Sequence, residues 1–272
     1  MKQELNPFSE LQEQFSWLVV QPLPWIIELR SCVLAIANAI APVVQRGLQV
    51  HGSALAALLR MGVECHRIER AGWLPHYTTP FDALANTDVT IASTTNILER
   101  HYTDNWTSVK QAFLDRLQRY ELDDEAKSVF VEALMSHEHG LYRACPRLLF
   151  PEIERVARVE LHEGSTGPIT SQRVLIEMAG DLGLGEVEPG GIYSMQLFTK
   201  LFDHLYAHVK TDEEKAAIAL DPVPNRHATL HGLRSYSTQQ NSINALIMTD
   251  FIFQIICAVK RNAVPQESQA AA

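Results

Sequence analysis

The stretch Ser237–Asn262, STQQNSINALIMTDFIFQIICAVKRN, decides the fold class of this chain. Its apolar residues recur at spacings of three and four, which is the period of a helix with one buried face. Its first four residues have the form of a capping box, in which a hydroxyl residue is followed three positions later by Gln. The pattern predicts a long amphipathic helix whose apolar face consists of Ile243, Leu246, Ile247, Phe251, Gln254, Ile255 and Ala258.

The same helical pattern extends through most of the 272 residues. Segments rich in Ala, Leu, Glu, Gln and Arg carry apolar residues at helical spacing, and no run alternates with the period of two that a strand requires. Stretches that contain Pro or Gly, such as 71–80, 180–191 and 221–225, predict the connections between helices. We therefore expect an all-α protein, built as a multi-helix bundle.

The composition places the chain among globular proteins. Hydrophobic residues make up 46% and charged residues 20%, which excludes a mostly disordered chain. The four cysteines are scattered without a CxxC pair, which favours a reducing compartment. Neither a signal peptide nor an uncharged stretch of membrane-spanning length is recognisable, so we expect a cytoplasmic protein without a membrane contact.

The formal net charge is -9 at neutral pH, from 23 Lys and Arg against 32 Asp and Glu. A protein that binds nucleic acid through its overall field is basic, because its affinity depends on neutralising phosphates. The composition excludes a binder of that kind. Any contact with nucleic acid therefore requires a local basic site.

The segment Asn225–Gly232, NRHATLHG, contains the residue types for chemistry on a phosphate. Asn225 is a good N-cap, so Arg226 falls on the first turn of a short helix, where free N–H groups and the guanidinium both attract an anion. Histidine titrates near neutral pH and can transfer a proton. His227 and His231 share a helix face, whereas Arg226 and His231, five residues apart, do not. Arg226 would reach His231 by its length, by a distorted first turn or from a second copy of the chain.

Three further residues are candidates for supporting this site. Asp250 lies among apolar residues of the final helix, so its carboxylate requires a partner, which Arg226 or Arg234 would supply. Asn225 and Tyr236 are candidate hydrogen-bond donors at the cleft, and capping or packing is the other interpretation of both residues.

A zinc site is an alternative use of the histidines. The pairs His204/His208 and His227/His231 each have the spacing of two metal ligands on one helix face. Neither a known carboxylate motif nor a nearby cysteine completes such a site, so a half-buried or exposed helix face is the stronger interpretation of His204 and His208.

The order of Arg226, a polar residue, three further residues and His231, in a short helix before a final apolar helix, resembles the signature of the HEPN superfamily. The runs Met135–Arg155 and Asn225–Asp250 are also similar to bacterial members of that superfamily. The resemblance covers roughly residues 121–263.

The resemblance implies a division of the chain into three parts. A HEPN-like helical domain would cover residues 121–263, preceded by an N-terminal helical region of unknown role over 1–120. A disordered tail would follow over 264–272.

The resemblance also implies a metal-independent endoribonuclease without a cofactor, in a toxin–antitoxin or phage-defence context. Arg226 would stabilise charge on the transferring phosphate, His231 would act as general base or acid, and His227 would orient both. Glu154, in a helix similar to the second long helix of the family, would be an orienting carboxylate. The 2′-hydroxyl of the RNA would attack, leaving a cyclic phosphate and a 5′-hydroxyl.

The expected partners follow from the same resemblance. They are RNA, a second copy of the chain with the site at the dimer interface, and an antitoxin or nucleotidyltransferase. A HEPN-like module that binds a nucleotide or a protein without catalysis is the first alternative, and a structural helical adaptor is the second. The acidic net charge favours these alternatives, whereas the intact series Arg226, His227 and His231 favours the enzyme.

Overall fold

The computed structural model describes residues 61–85, 90–162, 164 and 192–263. The chain divides into two compact units, Met1–Val63 and Glu64–Ala272, and almost all of the described residues belong to the second unit. The predicted tail over 264–272 and the first 60 residues of the predicted N-terminal region lie outside the described residues.

Every regular element among the described residues is helical, which confirms the all-α prediction. A helical segment over 61–70 precedes the loop 71–80. The later elements are α1 (Phe81–Leu84), α2 (Ile91–Asp104), α3 (Trp106–Leu117), α4 (Asp124–Glu138), α5 (Ala144–His162), α6 (Ile192–Lys200) with a π-helix (Leu201–Leu205), α7 (Asp212–Leu220), α8 (Arg226–Leu230) and α9 (Gln239–Ala263).

Helix α9 is the core element of the second unit. The predicted apolar face is buried, and so are the residues between its members, including Ala245, Met248, Ile252 and Phe253. Helices α4 and α5 pack against α9, and α8 packs against α5. Helix α9 is long and apolar enough to cross a membrane, but 94% of that apolar window is buried inside the protein. Burial on all sides is what a central helix of a globular unit requires.

The capping box of α9 lies one residue later than the sequence predicts. Thr238 Oγ1 accepts a hydrogen bond from the Asn241 N–H (3.1 Å), and Asn241 Oδ1 accepts one from the Thr238 N–H (3.1 Å). The predicted partner Gln240 instead donates to the carbonyl oxygen of Ala71 (3.0 Å). Gln240 therefore holds the loop 71–80 against α9, and Asn241 takes its expected place in the capping box.

Asn244 holds the same loop from the middle of α9. Its Oδ1 accepts a hydrogen bond from the Leu74 N–H (3.0 Å), and its Nδ2 donates to the Gly72 carbonyl oxygen (2.9 Å). Asn244 is fully buried. A buried amide with both ends satisfied fixes the register between two segments, because any shift would leave polar atoms without partners.

Asp250 is the buried carboxylate of α9, and three residues from two segments supply its partners. Tyr120 Oη donates to Oδ1 (3.0 Å), His76 Nε2 donates to Oδ2 (3.2 Å), and Arg116 Nε lies 3.7 Å from Oδ2. His76 Nδ1 in turn accepts from Thr78 Oγ1 (2.8 Å). Burial lowers the pKa of His76, with the neighbouring carboxylate opposing that shift. The network therefore fastens the loop 71–80 and the end of α3 to α9.

These contacts place residues 64–120 in one compact unit with the expected HEPN-like region 121–263. The boundary between the two compact units lies between Val63 and Glu64. The physical reason is the buried polar contacts of Asn244 and Asp250, which tie the loop 71–80 and α3 to α9.

The loop also approaches the connector before α8, and Gly72 makes this approach possible. Gly72 has a φ of +77°, and a Cβ at this position would lie 2.3 Å from Cγ of Pro222. Gly140 has a φ of +71° with no atom within 4 Å of such a Cβ. Substitution of either glycine would strain the backbone, but only at Gly72 would the added Cβ overlap a neighbouring side chain.

We expect Gly72→Ala to lower the free energy of unfolding clearly more than Gly140→Ala. Left-handed backbone costs about 1–2 kcal/mol at either position, and the overlap with Pro222 adds about 1–3 kcal/mol at Gly72 alone. Urea denaturation followed by circular dichroism measures both variants. Equal losses of unfolding free energy in the two variants would show that Gly72 of the loop 71–80 is not in close contact with Pro222 of the connector.

Candidate active site

Asn225 begins α8, as the sequence predicts. Its Oδ1 accepts a hydrogen bond from the Ala228 N–H (2.7 Å), which satisfies one free donor of the first turn. Its Nδ2 donates to the carbonyl oxygens of His204 (2.6 Å) and Ala207 (2.9 Å), and its N–H donates to Tyr236 Oη (3.0 Å). The residue is fully buried. One side chain therefore joins α8 to the chain at residues 204–207, where the helical segment before α7 ends.

The segment before α7 differs from the sequence prediction in its helical type. The apolar spacing predicts an α-helix from Ser194 to about Val209, but α6 continues as a π-helix over Leu201–Leu205. Carbonyl oxygens at a helix end lack intrahelical partners, and Asn225 supplies donors to them. Tyr206 and His208 follow the π-helix and come to lie beside α8.

Arg226 points from α8 to α5, where its Nη2 donates to Oε1 of Glu154. The structure thus places Glu154 beside Arg226, the position in which a carboxylate orients the guanidinium. The guanidinium carbon also lies 5.5 Å from the centre of the Tyr206 ring, a cation–π distance. The Arg226 and Glu154 side chains are 19% and 23% exposed, so the ion pair lies at the edge of solvent.

Three imidazoles come together at α8. The rings of His227 and His231 lie 4.5 Å apart between centroids, as expected for residues four apart on one face. The ring of His208 lies 5.3 Å from that of His227. His208 and His231 are exposed, and His227 between them is half-buried. Arg226 and His231 turn to different partners, in agreement with their separation of five residues.

We define the histidine cluster as His208, His227 and His231, and the charged groups that act on it include Arg226 and Lys210. Burial lowers the pKa of His227, and the nearby groups His231, His208, Arg226 and Lys210 lower it further. A lowered pKa favours the neutral form of the His227 imidazole, which can accept a hydrogen bond or a proton. A site with this charge attracts anions in a chain whose overall charge is negative.

Three polar atoms around α8 are buried without a hydrogen-bond partner: Tyr206 Oη, Arg226 Nε and His227 Nδ1. Tyr206 is 7% exposed, and burial is the first cause that raises its pKa above the usual range. Buried polar atoms are normally satisfied, so a cluster of open ones indicates a place where a ligand or solvent completes the hydrogen bonding.

Two predicted supporting residues lie outside this arrangement. The prediction that Asp250 pairs with Arg226 or Arg234 is wrong, because Asp250 is enclosed by His76 and its neighbours. Arg234 lies over the ring of Tyr236 at 5.2 Å. The Tyr236 hydroxyl accepts from the backbone of Asn225 and is buried, so it supports the start of α8 instead of lining the cleft.

His204 lies apart from the other three histidines of the zinc alternative. Its Nε2 donates to the Val223 carbonyl oxygen (2.7 Å), and its Nδ1 lies 3.4 Å from Asp221 Oδ2. Both ring nitrogens are therefore engaged away from the histidine cluster. Within the described residues, no group of three or more His, Cys, Asp or Glu has an arrangement that could hold a metal ion.

The sequence did not assign Tyr206, His208 and Lys210 to the phosphate site, although the zinc alternative combined His208 with His227 and His231. The sequence placed His208 on a continuous helix, whose face could not be related to α8. Asn225 carried the one signal for this placement. When an Asn N-cap is buried, its side-chain N–H₂ group must donate to acceptors from another segment nearby.

Comparison of the chain with family models, curated proteins and solved structures found no match. The chemistry of the site is therefore inferred from its own side chains. An arginine held by a carboxylate, a lysine and three adjacent imidazoles can bind a phosphate and transfer protons around it.

We expect Asn225→Ala to lower the free energy of unfolding more than the loss of an ordinary N-cap does. The matched control is Thr211→Ala, which removes the exposed N-cap of α7 and costs about 1 kcal/mol. Asn225→Ala also leaves the carbonyl oxygens of His204 and Ala207 unpaired, which adds about 1–3 kcal/mol. Urea denaturation of both variants measures the difference, and equal losses would contradict the tethering role of Asn225.

We expect His227 to titrate below the ordinary imidazole pKa of 6.5, as measured by NMR of its ring protons against pH. His231→Gln removes one of the groups that lower the pKa of His227 and should raise that pKa, without restoring it fully because burial is the larger cause. The folded protein binds this proton more weakly than the unfolded chain does, so acidification below pH 6.5 lowers the free energy of unfolding. A pKa for His227 above its ordinary value would contradict this description of the cluster.

Proposed function

We propose that the α8 site binds the phosphodiester backbone of RNA and cleaves it without a metal ion. The observation that supports this proposal best is the concentration of Arg226, Lys210 and the histidine cluster around one short helix. The net charge of -9 excludes binding through the overall field, so a local site of this kind is what RNA binding by this chain requires.

The proposed reaction is attack of the 2′-hydroxyl on the adjacent phosphorus, which yields a cyclic phosphate and a 5′-hydroxyl. Arg226 stabilises the negative charge that builds on the phosphate, oriented by its ion pair with Glu154. His231 is exposed and transfers a proton, and His227 holds the His231 ring in place. The reaction is the one that the HEPN resemblance implies, so a HEPN-type endoribonuclease in the cytoplasm, acting as a homodimer in a toxin or phage-defence setting, belongs to this proposal.

A second function is favoured by one specific observation. The Nη2 of Arg226 is already bound to Glu154, which partly neutralises its charge before any ligand arrives. An arginine whose charge is partly neutralised gives less stabilisation to charge that develops in a reaction. This favours a module that binds a nucleotide or a protein without catalysis. This second candidate predicts binding at α8 with no cleavage.

The test compares the purified wild type with Arg226→Ala and His231→Ala on RNA in the presence of EDTA. Loss of charge stabilisation or of proton transfer should slow cleavage about 10²–10⁴-fold. The matched controls are Arg119→Ala and His139→Ala, which change exposed residues far from α8 in sequence and should cleave at the wild-type rate.

Equal cleavage by wild type and both site variants would overturn the assignment of this site. Binding of RNA without cleavage, lost in Arg226→Ala, would instead support the non-catalytic module. Cleavage that EDTA abolishes would contradict the metal-independent reaction.

A further inference from the structure

Cleavage by the 2′-hydroxyl requires two proton transfers on opposite sides of one phosphorus. The attacking oxygen must lose its proton, and the leaving 5′-oxygen must gain one. Because displacement at phosphorus is in line, these two oxygens lie on opposite sides of the reacting atom. One imidazole cannot serve both at the same time, so His231 alone leaves one transfer without a group.

The structure offers a second exposed imidazole within the same chain. His208 contacts one side of the His227 ring and His231 also packs against His227, with centroid distances of 5.3 Å and 4.5 Å. His208 and His231 are therefore at most roughly 10 Å apart. Two imidazoles within this distance can each form a hydrogen bond of about 3 Å to a different oxygen of one phosphate that lies beside the His227 ring.

The tether of Asn225 determines this position of His208. Asn225 Nδ2 binds the carbonyl oxygen of Ala207, the residue immediately before His208. The Ile218 side chain of α7 is buried in one cluster with Val209 and Ala228, so the backbone on either side of His208 is fixed. An exposed side chain on a fixed backbone is suited to meeting a ligand at a defined place.

Unfilled hydrogen-bonding capacity beside this pair also indicates a ligand. Tyr206 Oη, Arg226 Nε and His227 Nδ1 are buried and have no partner. They lie on the residues that contact or flank the histidine cluster. These atoms are independent of His208, so they are a separate observation that a polar ligand belongs at this place.

We propose that His208 is a catalytic residue of this site, the second proton-transfer group that works opposite His231. This inference rests on the proposed ribonuclease function. One of the two imidazoles, in its neutral form, takes the proton of the 2′-hydroxyl as the oxygen–phosphorus bond forms. The other, in its protonated form, gives its proton to the 5′-oxygen as the bond from phosphorus to that oxygen breaks. Exchange with water restores both imidazoles after the cyclic phosphate and the 5′-hydroxyl leave.

The experiment uses the full chain and two RNA substrates. One is an ordinary oligonucleotide, and the other carries sulfur in place of the 5′-oxygen at a single cleavage site. A thiolate is a much weaker base than an alkoxide and leaves without a proton, so the sulfur substrate does not need the general acid. The proteins are wild type, His208→Gln, His231→Gln and the matched control His139→Gln, each checked for folding by circular dichroism.

On ordinary RNA we expect His208→Gln and His231→Gln to be slowed by about 10²–10⁴-fold, with His139→Gln unchanged. On the sulfur substrate, one of the two slow variants should recover to near the wild-type rate while the other stays slow. This reciprocal result assigns the general acid and the general base, and a merely structural role for His208 would not produce it.

Two results overturn the inference while leaving the proposed function intact. They are cleavage of ordinary RNA by His208→Gln at the wild-type rate, and equal slowing of both variants on both substrates. Absence of cleavage by the wild type overturns the proposed function together with this inference.

Discussion

The side-chain amide of Asn225 is the constraint on which the site depends. Its oxygen caps the start of α8, and its nitrogen donates to the carbonyl oxygens of His204 and Ala207, which lie at and just after the end of the π-helix. Because the amide is fully buried, each of these bonds must be kept for the fold to be stable. The consequence is that the ring of His227 on α8 contacts the ring of His208, and Arg226 on α8 lies over the ring of Tyr206. Local geometry at one residue thus produces a site from two separate parts of the chain.

Buried polar groups on α9 act in the same way on a larger scale. Asn244 and Asp250 each require partners that α9 cannot supply, and they find them in the loop 71–80 and at the end of α3. Apolar packing alone would permit several arrangements of helices around α9, whereas these groups are satisfied in one. The loop in turn meets the connector before α8 at Gly72 and Pro222. The core and the site are therefore linked through a continuous series of specific contacts.

The sequence could predict what depends on local rules. Helical spacing predicted the helices, and the preference of Asn for the N-cap predicted the start of α8. The separation of His227 and His231 by four residues predicted their contact. The sequence could not predict the partners of Asp250, which lie 130 and 174 residues away in the chain. His208 was missed for a similar reason, since the π-helix before it changes the direction in which it points.

The proposed function places an RNA phosphate within the histidine cluster. NMR of uniformly ¹⁵N-labelled histidine rings, followed during addition of an oligonucleotide whose 2′-hydroxyl is replaced by hydrogen at the cleavage site, tests it directly. We expect the ring signals of His208, His227 and His231 to shift together and saturably, while those of the buried His76 and His137 stay in place. Shifts confined to other histidines, or no shift at saturating RNA, would contradict the claim.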